Sequence, residues 1–125
     1  MNGSSYLEVA VVSDPEFCPI AEVFHLFSGK WTTRALFKLS TGIKRPGELR
    51  RHLPGISKKV LTQTLRNLEQ AGLVSRTVYP VVPPKVEYVL TSDGKALVEP
   101  VVALVEWSLS NKQRLRRIHS KTNQP

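Results

Sequence analysis

Residues 57–71, SKKVLTQTLRNLEQA, constrain this chain more than any other stretch. Stepped at about 100° per residue, Leu61, Leu65 and Leu68 gather on one side of a helix, with Val60, Thr64 and Ala71 flanking them. Lys59, Thr62, Gln63, Arg66 and Gln70 gather on the other. The predicted helix has a start, because the Ser57 hydroxyl can accept a bond from an orphan backbone N–H. It has a stop, because Gly72 suits the left-handed position just past a helix end. The polar face is the informative one. It carries long donors and amides, and Glu69 at its edge is the one acid. From a helix lying in a major groove, Arg and Lys can pair with guanine and Gln with adenine. A merely solvated helix face would use the same residue types, so the neighbouring segments decide between the two.

Upstream, Pro46 can start a short helix from Gly47 to about Leu53, with Leu49 and Leu53 facing inward. Leu53-Pro54-Gly55-Ile56 then makes a tight turn into the organising helix. Helix, short turn, basic amphipathic helix is the helix-turn-helix arrangement. Downstream, 73–79 and 85–90 are rich in β-formers and are separated by Pro80-Val81-Val82-Pro83-Pro84. They predict a hairpin with a proline-stiffened tip, and a hairpin in this place is a wing. Residues 43–45 suggest a minimal strand.

The remaining segments are helical or irregular. Cys18-Pro19 opens a first helix on which Ile20, Val23, Phe24 and Phe27 make an apolar face, with Gly29 ending it. A second helix, from Lys30 to about Ser40, is apolar nearly all round and belongs in a core. Thr91 can cap a last helix that runs to about Arg117, with Pro100 kinking or splitting it. Beyond Pro100, Val101, Leu104, Val105 and Ser108 share one face, while Val102, Trp107 and Leu109 lie away from it. A helix of a monomer needs one apolar face, and the surplus suggests a partner surface. The chain therefore divides into an N-terminal arm (1–17), a domain (18–117) and a basic, disordered tail (118–125). Leu7, Val9 and Val11 in the arm alternate and could dock as a short strand. The expected fold class is mainly α with a small β-hairpin wing, α+β: a winged helix-turn-helix flanked by N- and C-terminal helices.

Charge points the same way. The formal net charge is +8 over 125 residues. Residues 30–66 hold ten basic residues against Glu48, and residues 112–125 hold five against none, whereas residues 1–29 hold four acids and no Lys or Arg. Such clustering favours a polyanionic partner. The single cysteine, Cys18, excludes an intrachain disulfide and a Cys-based zinc site. His25, His52 and His119 fit no metal spacing, no paired acids or phosphate-cradling glycine loop appear, and no cofactor is expected. The start shows no signal-peptide pattern and no apolar run is long enough for a bilayer, so the expected setting is cytoplasmic, without a membrane partner.

Order and spacing together carry a family resemblance. Cys18-Pro19, GKW at 29–31, GELRRHLPGISKKVLTQTLRNLEQAGLVSR at 47–76, VPPKVEYVLTSDGKAL at 82–97 and Glu106-Trp107 occur in sequence. The chain resembles the HxlR-type winged helix-turn-helix regulators of bacteria, a branch close to the MarR regulators. The resemblance covers about residues 18–107. It implies a homodimer that binds double-stranded operator DNA and regulates transcription, with the first and last helices forming the dimer interface. The interface candidates are Ile20, Val23, Phe24, Phe27, Val101, Leu104, Val105 and Trp107.

For DNA contact, Lys59, Thr62, Gln63 and Arg66 are placed to reach base edges, with Ser57 and Lys58 nearer the phosphates. Arg45, Arg50 and Arg51, with Arg76 and Lys85 at the wing, suit phosphate. Cys18 lies at a helix N-cap, where the dipole lowers thiol pKa. Some relatives that this chain resembles use a cysteine here to sense oxidants or electrophiles, several with a second cysteine that this chain lacks. A small packing residue is the competing role for Cys18. An oxidant or small-molecule effector is thus one expectation. Two rival functions stand beside DNA binding: a winged-helix protein-interaction module, and a thiol-dependent enzyme using Cys18. The first would more often carry an exposed apolar patch on that face, and the second lacks a nearby base.

Overall fold

A computed structural model describes residues 19–122, with side chains from residue 21. The arm with Leu7, Val9 and Val11, the residue Cys18 and the last three residues lie outside the described residues, as does the Ile20 side chain. The elements in order are α1 (Pro19–Leu26), α2 (Lys30–Leu39), α3 (Pro46–His52), α4 (Lys58–Gln70), β1 (Val74–Tyr79), β2 (Lys85–Leu90), α5 (Ser92–Ser110) and α6 (Lys112–Thr122). This is a mainly helical chain with a two-stranded antiparallel hairpin.

The core forms where the apolar faces of α2, α3 and α4 meet the root of the hairpin. Ala35, Leu36 and Leu39 of α2, Leu49 of α3, Leu53 and Ile56 of the turn, and Leu61, Leu65 and Leu68 of α4 are buried together with Leu73, Val74, Leu90 and Val98. α2 packs through the middle on Ala35, Leu36 and Leu39, with Trp31 and Phe37 half-buried at its sides, but Lys30 and Arg34 are exposed, so the helix is one-sided and not apolar nearly all round. Thr64 is the one buried polar residue among those described, and its hydroxyl is satisfied by donating to the Val60 carbonyl at 2.7 Å.

Each boundary of the helix-turn-helix has a physical cause. The Glu48 carboxylate accepts from the Arg45 backbone N–H at 3.1 Å and so caps α3, with Pro46 preset for its first turn. The Ser57 hydroxyl accepts from the Val60 N–H at 3.1 Å and starts α4. At the other end Gly72 takes φ +77°. Its N–H reaches the Glu69 carbonyl, and the Leu73 N–H reaches the Leu68 carbonyl, both at 3.0 Å. This double bond pattern needs a left-handed residue at position 72.

The hairpin pairs Val74 with Leu90 and Tyr79 with Lys85. The expected strand at 43–45 is a single bridge, in which Lys44 and Tyr88 exchange backbone bonds of 2.9 and 2.8 Å. The root of the wing is fastened to α5 by Thr91. Its hydroxyl donates to the Gly72 carbonyl at 2.6 Å and accepts from the Gly94 N–H at 3.1 Å, while its own N–H donates to the Leu73 carbonyl at 3.0 Å.

Three expected boundaries move. α1 ends at Leu26, because Ser28 turns both its N–H and its hydroxyl back to the His25 carbonyl; Gly29 serves instead as the extended residue before α2. Pro100 does not split the last helix: α5 runs through it to Ser110. The break falls at Asn111. Its side-chain Nδ2 donates to the Trp107 carbonyl at 2.8 Å, the acceptor that its own N–H would use in a continuing helix, and that N–H goes to Ser108 instead. Helix then resumes past Arg117 to Thr122, so the tail placed at 118–125 is helical through its first residues. Lys112, Gln113, Arg114, Leu115, Arg116 and Arg117 are all straight-chain or γ-branched residues that lose little freedom in a helix.

Candidate nucleic-acid interface

The interface is built outward from the buried face of α4. Burying Leu61, Thr64, Leu65 and Leu68 fixes the rotation of the helix. Lys59, Thr62, Gln63 and Arg66 must then point to solvent, and all four are exposed. Ser57 and Lys58 stand exposed at the N-terminal end. The first turn of α4 contains no acid.

Two side chains on this face are already oriented by neighbours. The Thr62 hydroxyl donates to the Lys58 carbonyl at 2.8 Å, so its free lone pairs, not its proton, face outward. Gln63 Nε2 donates to Asn67 Oδ1 at 2.8 Å. That bond leaves Gln63 Oε1 and one amide proton available, which is the pair that adenine requires. Asn67 was not singled out from sequence, although its spacing from Gln63 is that of neighbouring side chains on a helix.

The basic residues around α4 fall into separate groups. Arg50 joins Pro46, Gly47, Lys58, Leu61 and Thr62 around a hollow of about 260 Å³ between α3 and α4. Arg45 and Arg51 line a different hollow of about 570 Å³ with Ile43, Gly47, Glu48 and Glu87, between α3 and the wing. Arg76 pairs with Tyr88 and Lys85 with Tyr79, so strand alternation places Arg76 and Lys85 on opposite faces of the hairpin. Arg76 is exposed. Lys85 is engaged: its Nζ lies 3.1 Å from Glu87 Oε1 and 4.9 Å from the centroid of the Tyr79 ring. The Lys85 hydrogen bond chiefly holds the Glu87 carboxyl below its ordinary value, partial desolvation opposes it, and the Lys85 charge, the Tyr79 hydroxyl and the Arg45 charge add to the lowering. The stability this carboxylate contributes is present above its ordinary pKa and lost as pH falls through the lowered one. Glu87 and Tyr79 were also missed from sequence. The Lys85–Glu87 spacing follows from strand alternation, but Tyr79 needs the register across the tip.

The apolar candidates on the outer helices divide as well. Val101 is buried within its own chain, and Val23, Phe27 and Val105 are half-buried. Phe24, Leu104, Trp107 and Leu109 are 59%, 53%, 46% and 61% exposed. Among the described residues no group of His, Cys, Asp and Glu could hold a metal ion, and no helix is long and apolar enough to cross a membrane.

The chain is 43% identical over 94 residues to an HTH-type transcriptional regulator of Methanothermobacter thermautotrophicus, covering 75% of this chain and 72% of that one. The structure of a transcriptional regulator of the MarR family from Porphyromonas gingivalis W83 superposes with a TM-score of 0.72 at 39% identity, over 80% of this chain and 97% of the other. The redox regulator HypR in its reduced form superposes with a TM-score of 0.75 at 40% identity, over 79% and 98%. The family model for HxlR-like helix-turn-helix proteins matches residues 26–116, and the chain belongs to that family of winged helix-turn-helix transcriptional regulators.

Proposed function

We propose that this protein is a homodimeric, sequence-specific DNA-binding transcriptional regulator that acts in the cytoplasm and has no enzymatic activity. The observation that carries the reading is the outer face of α4. Four buried side chains turn Lys59, Thr62, Gln63 and Arg66 outward together, beside Arg50 and Lys58. Gln63 and Arg66 read bases from the major groove, and the surrounding Arg45, Arg51 and Arg76 meet phosphates. Lys85 at the wing stands apart from these contacts, because its ammonium is engaged by Glu87 and lies over the Tyr79 ring.

The dimer reading is supported by the apolar side chains that α1 and α5 leave exposed, Phe24, Leu104, Trp107 and Leu109. Two copies related by a two-fold axis would set their reading helices on half-sites roughly 34–36 Å apart, which calls for a pseudo-palindromic operator. The structurally similar HypR is a redox regulator, and an oxidant effector acting through Cys18 is part of this proposal. With one cysteine per chain, the oxidised product is a mixed disulfide with a small thiol or a Cys18–Cys18 link between subunits. Replacing Cys18 with Ser and treating both forms with diamide tests that part: equal DNA-binding responses would make Cys18 a packing residue.

The main reading is tested by titrating the protein with mixed genomic DNA at two salt concentrations. A helix that neutralises several phosphates loses affinity steeply as salt rises. Weak binding with no salt dependence would favour a protein-interaction module instead.

A further inference from the structure

Tyr79, Lys85 and Glu87 share one face of the wing and are occupied with one another. The register sets Tyr79 opposite Lys85, and Glu87 lies two residues further along the same strand, so alternation turns all three the same way. Both carboxylate oxygens of Glu87 are in use. Oε1 receives Lys85 Nζ at 3.1 Å, and Oε2 receives the Tyr79 hydroxyl at 3.2 Å. The side chains of Lys85 and Glu87 are only 35% and 19% exposed. Glu87 also faces the hollow lined by Arg45 and Arg51. An acid therefore stands among cations that, on the DNA-binding reading, would face a phosphate. A carboxylate offers those cations what a phosphate offers, anionic oxygens for charge-assisted bonds.

We propose that Glu87 is a built-in stand-in for a DNA phosphate, which withholds Lys85 from DNA and so restrains sequence-independent binding by the wing. The inference rests on the DNA-binding reading and assigns a role to a residue outside the reading helix. While Lys85 stays with Glu87, its charge is neutralised within the protein and displaces no counterion from DNA. If Lys85 leaves for a phosphate, Glu87 is left facing the same polyanion. A complex on unrelated sequence has no base contacts to offset that exchange. Glu87 thus acts as a positioning residue for Lys85, and Tyr79 as the second hold on its carboxylate.

The experiment uses the full chain and a mixed-sequence duplex of roughly 30 base pairs, long enough for two half-sites one helical turn apart. Binding is followed by fluorescence anisotropy across a range of salt for the natural chain, Glu87→Gln, Lys85→Met and the double variant. We expect Lys85→Met to leave the salt slope of the natural chain unchanged. Glu87→Gln should tighten binding several-fold at low salt and steepen the slope by about 0.9, the value for one added phosphate contact. Lys85→Met in the Glu87→Gln background should remove that gain. Tyr79→Phe, which keeps the ring and the carboxylate, should fall between the natural chain and Glu87→Gln, and it serves if Glu87→Gln does not fold. Two results would overturn the inference while leaving DNA binding intact. In one, Lys85→Met lowers the slope equally in both backgrounds, so that Lys85 already grips phosphate. In the other, the Glu87→Gln gain survives in the double variant, so that it reflects only the lost charge. Absence of salt-dependent binding in every variant would overturn the DNA-binding reading and the inference with it.

Discussion

Lys58 and Lys59 occupy the first turn of α4, where the unpaired N–H groups make a cation unfavourable. A sequence selected for helix stability alone would place an acid there, as α5 does with Asp93. On the DNA-binding reading the conflict is expected, since the same N-terminal end attracts a phosphate. Lys59→Glu should therefore stabilise the fold by about 0.3–1 kcal/mol while weakening DNA binding. Thermal unfolding and anisotropy on the same samples check both halves, and a variant that loses stability and keeps its affinity would contradict the placement. Arg66 lies in the second half of α4. If it reads a base, Arg66→Ala costs on the order of 1–3 kcal/mol on the operator and relaxes preference at one position. If it meets only phosphate, all sequences weaken alike and the salt slope falls by about 1.

At the scale of elements, the junction of wing and α5 is closely packed around Gly94. A Cβ built on Gly94 would collide with the Leu73 carbonyl oxygen, with the Leu90 side chain 3.2 Å away. Gly94→Ala should lower stability by roughly 1–3 kcal/mol, the usual cost of forcing an extra carbon into a packed site. The midpoint of urea unfolding should fall with little change in slope. Much of this architecture is legible before any coordinates. Ser57 and Gly72 bracket α4, leucine spacing sets its rotation, and the proline-rich tip separates two β-forming runs. What stays hidden depends on partners far along the chain or on local competition. Thr64 flanks the leucine side in the sequence, but the bond by which its buried hydroxyl donates to the Val60 carbonyl is not visible in a polarity pattern. Asn111, not Pro100, breaks the last helix because its amide takes the Trp107 carbonyl. Of the interface residues, the α4 face is readable from periodicity. The Tyr79–Lys85–Glu87 triad needs the hairpin register, and the opposite facing of Arg76 and Lys85 needs it too.

For the whole molecule, the proposed second copy rests on the apolar side chains left exposed on α1 and α5. Light scattering at micromolar concentration should report about twice the chain mass of 14.0 kDa. Trp107→Glu should shift the population toward monomer and weaken operator binding, because a single subunit engages only one half-site. A natural chain that stays monomeric would remove the two-fold operator from the account. The central claim, however, is that the outer face of α4 reads bases in a major groove. Gln63 tests it most directly, since its amide is oriented by Asn67 and carries no charge. The measurement compares the natural chain with Gln63→Ala on the operator and on one scrambled duplex, at two salt concentrations. The account predicts a loss on the order of 1–3 kcal/mol on the operator, little change on the scrambled duplex and an unchanged salt slope. Equal weakening on both duplexes would contradict the placement of α4 in the groove, even if the protein still binds DNA.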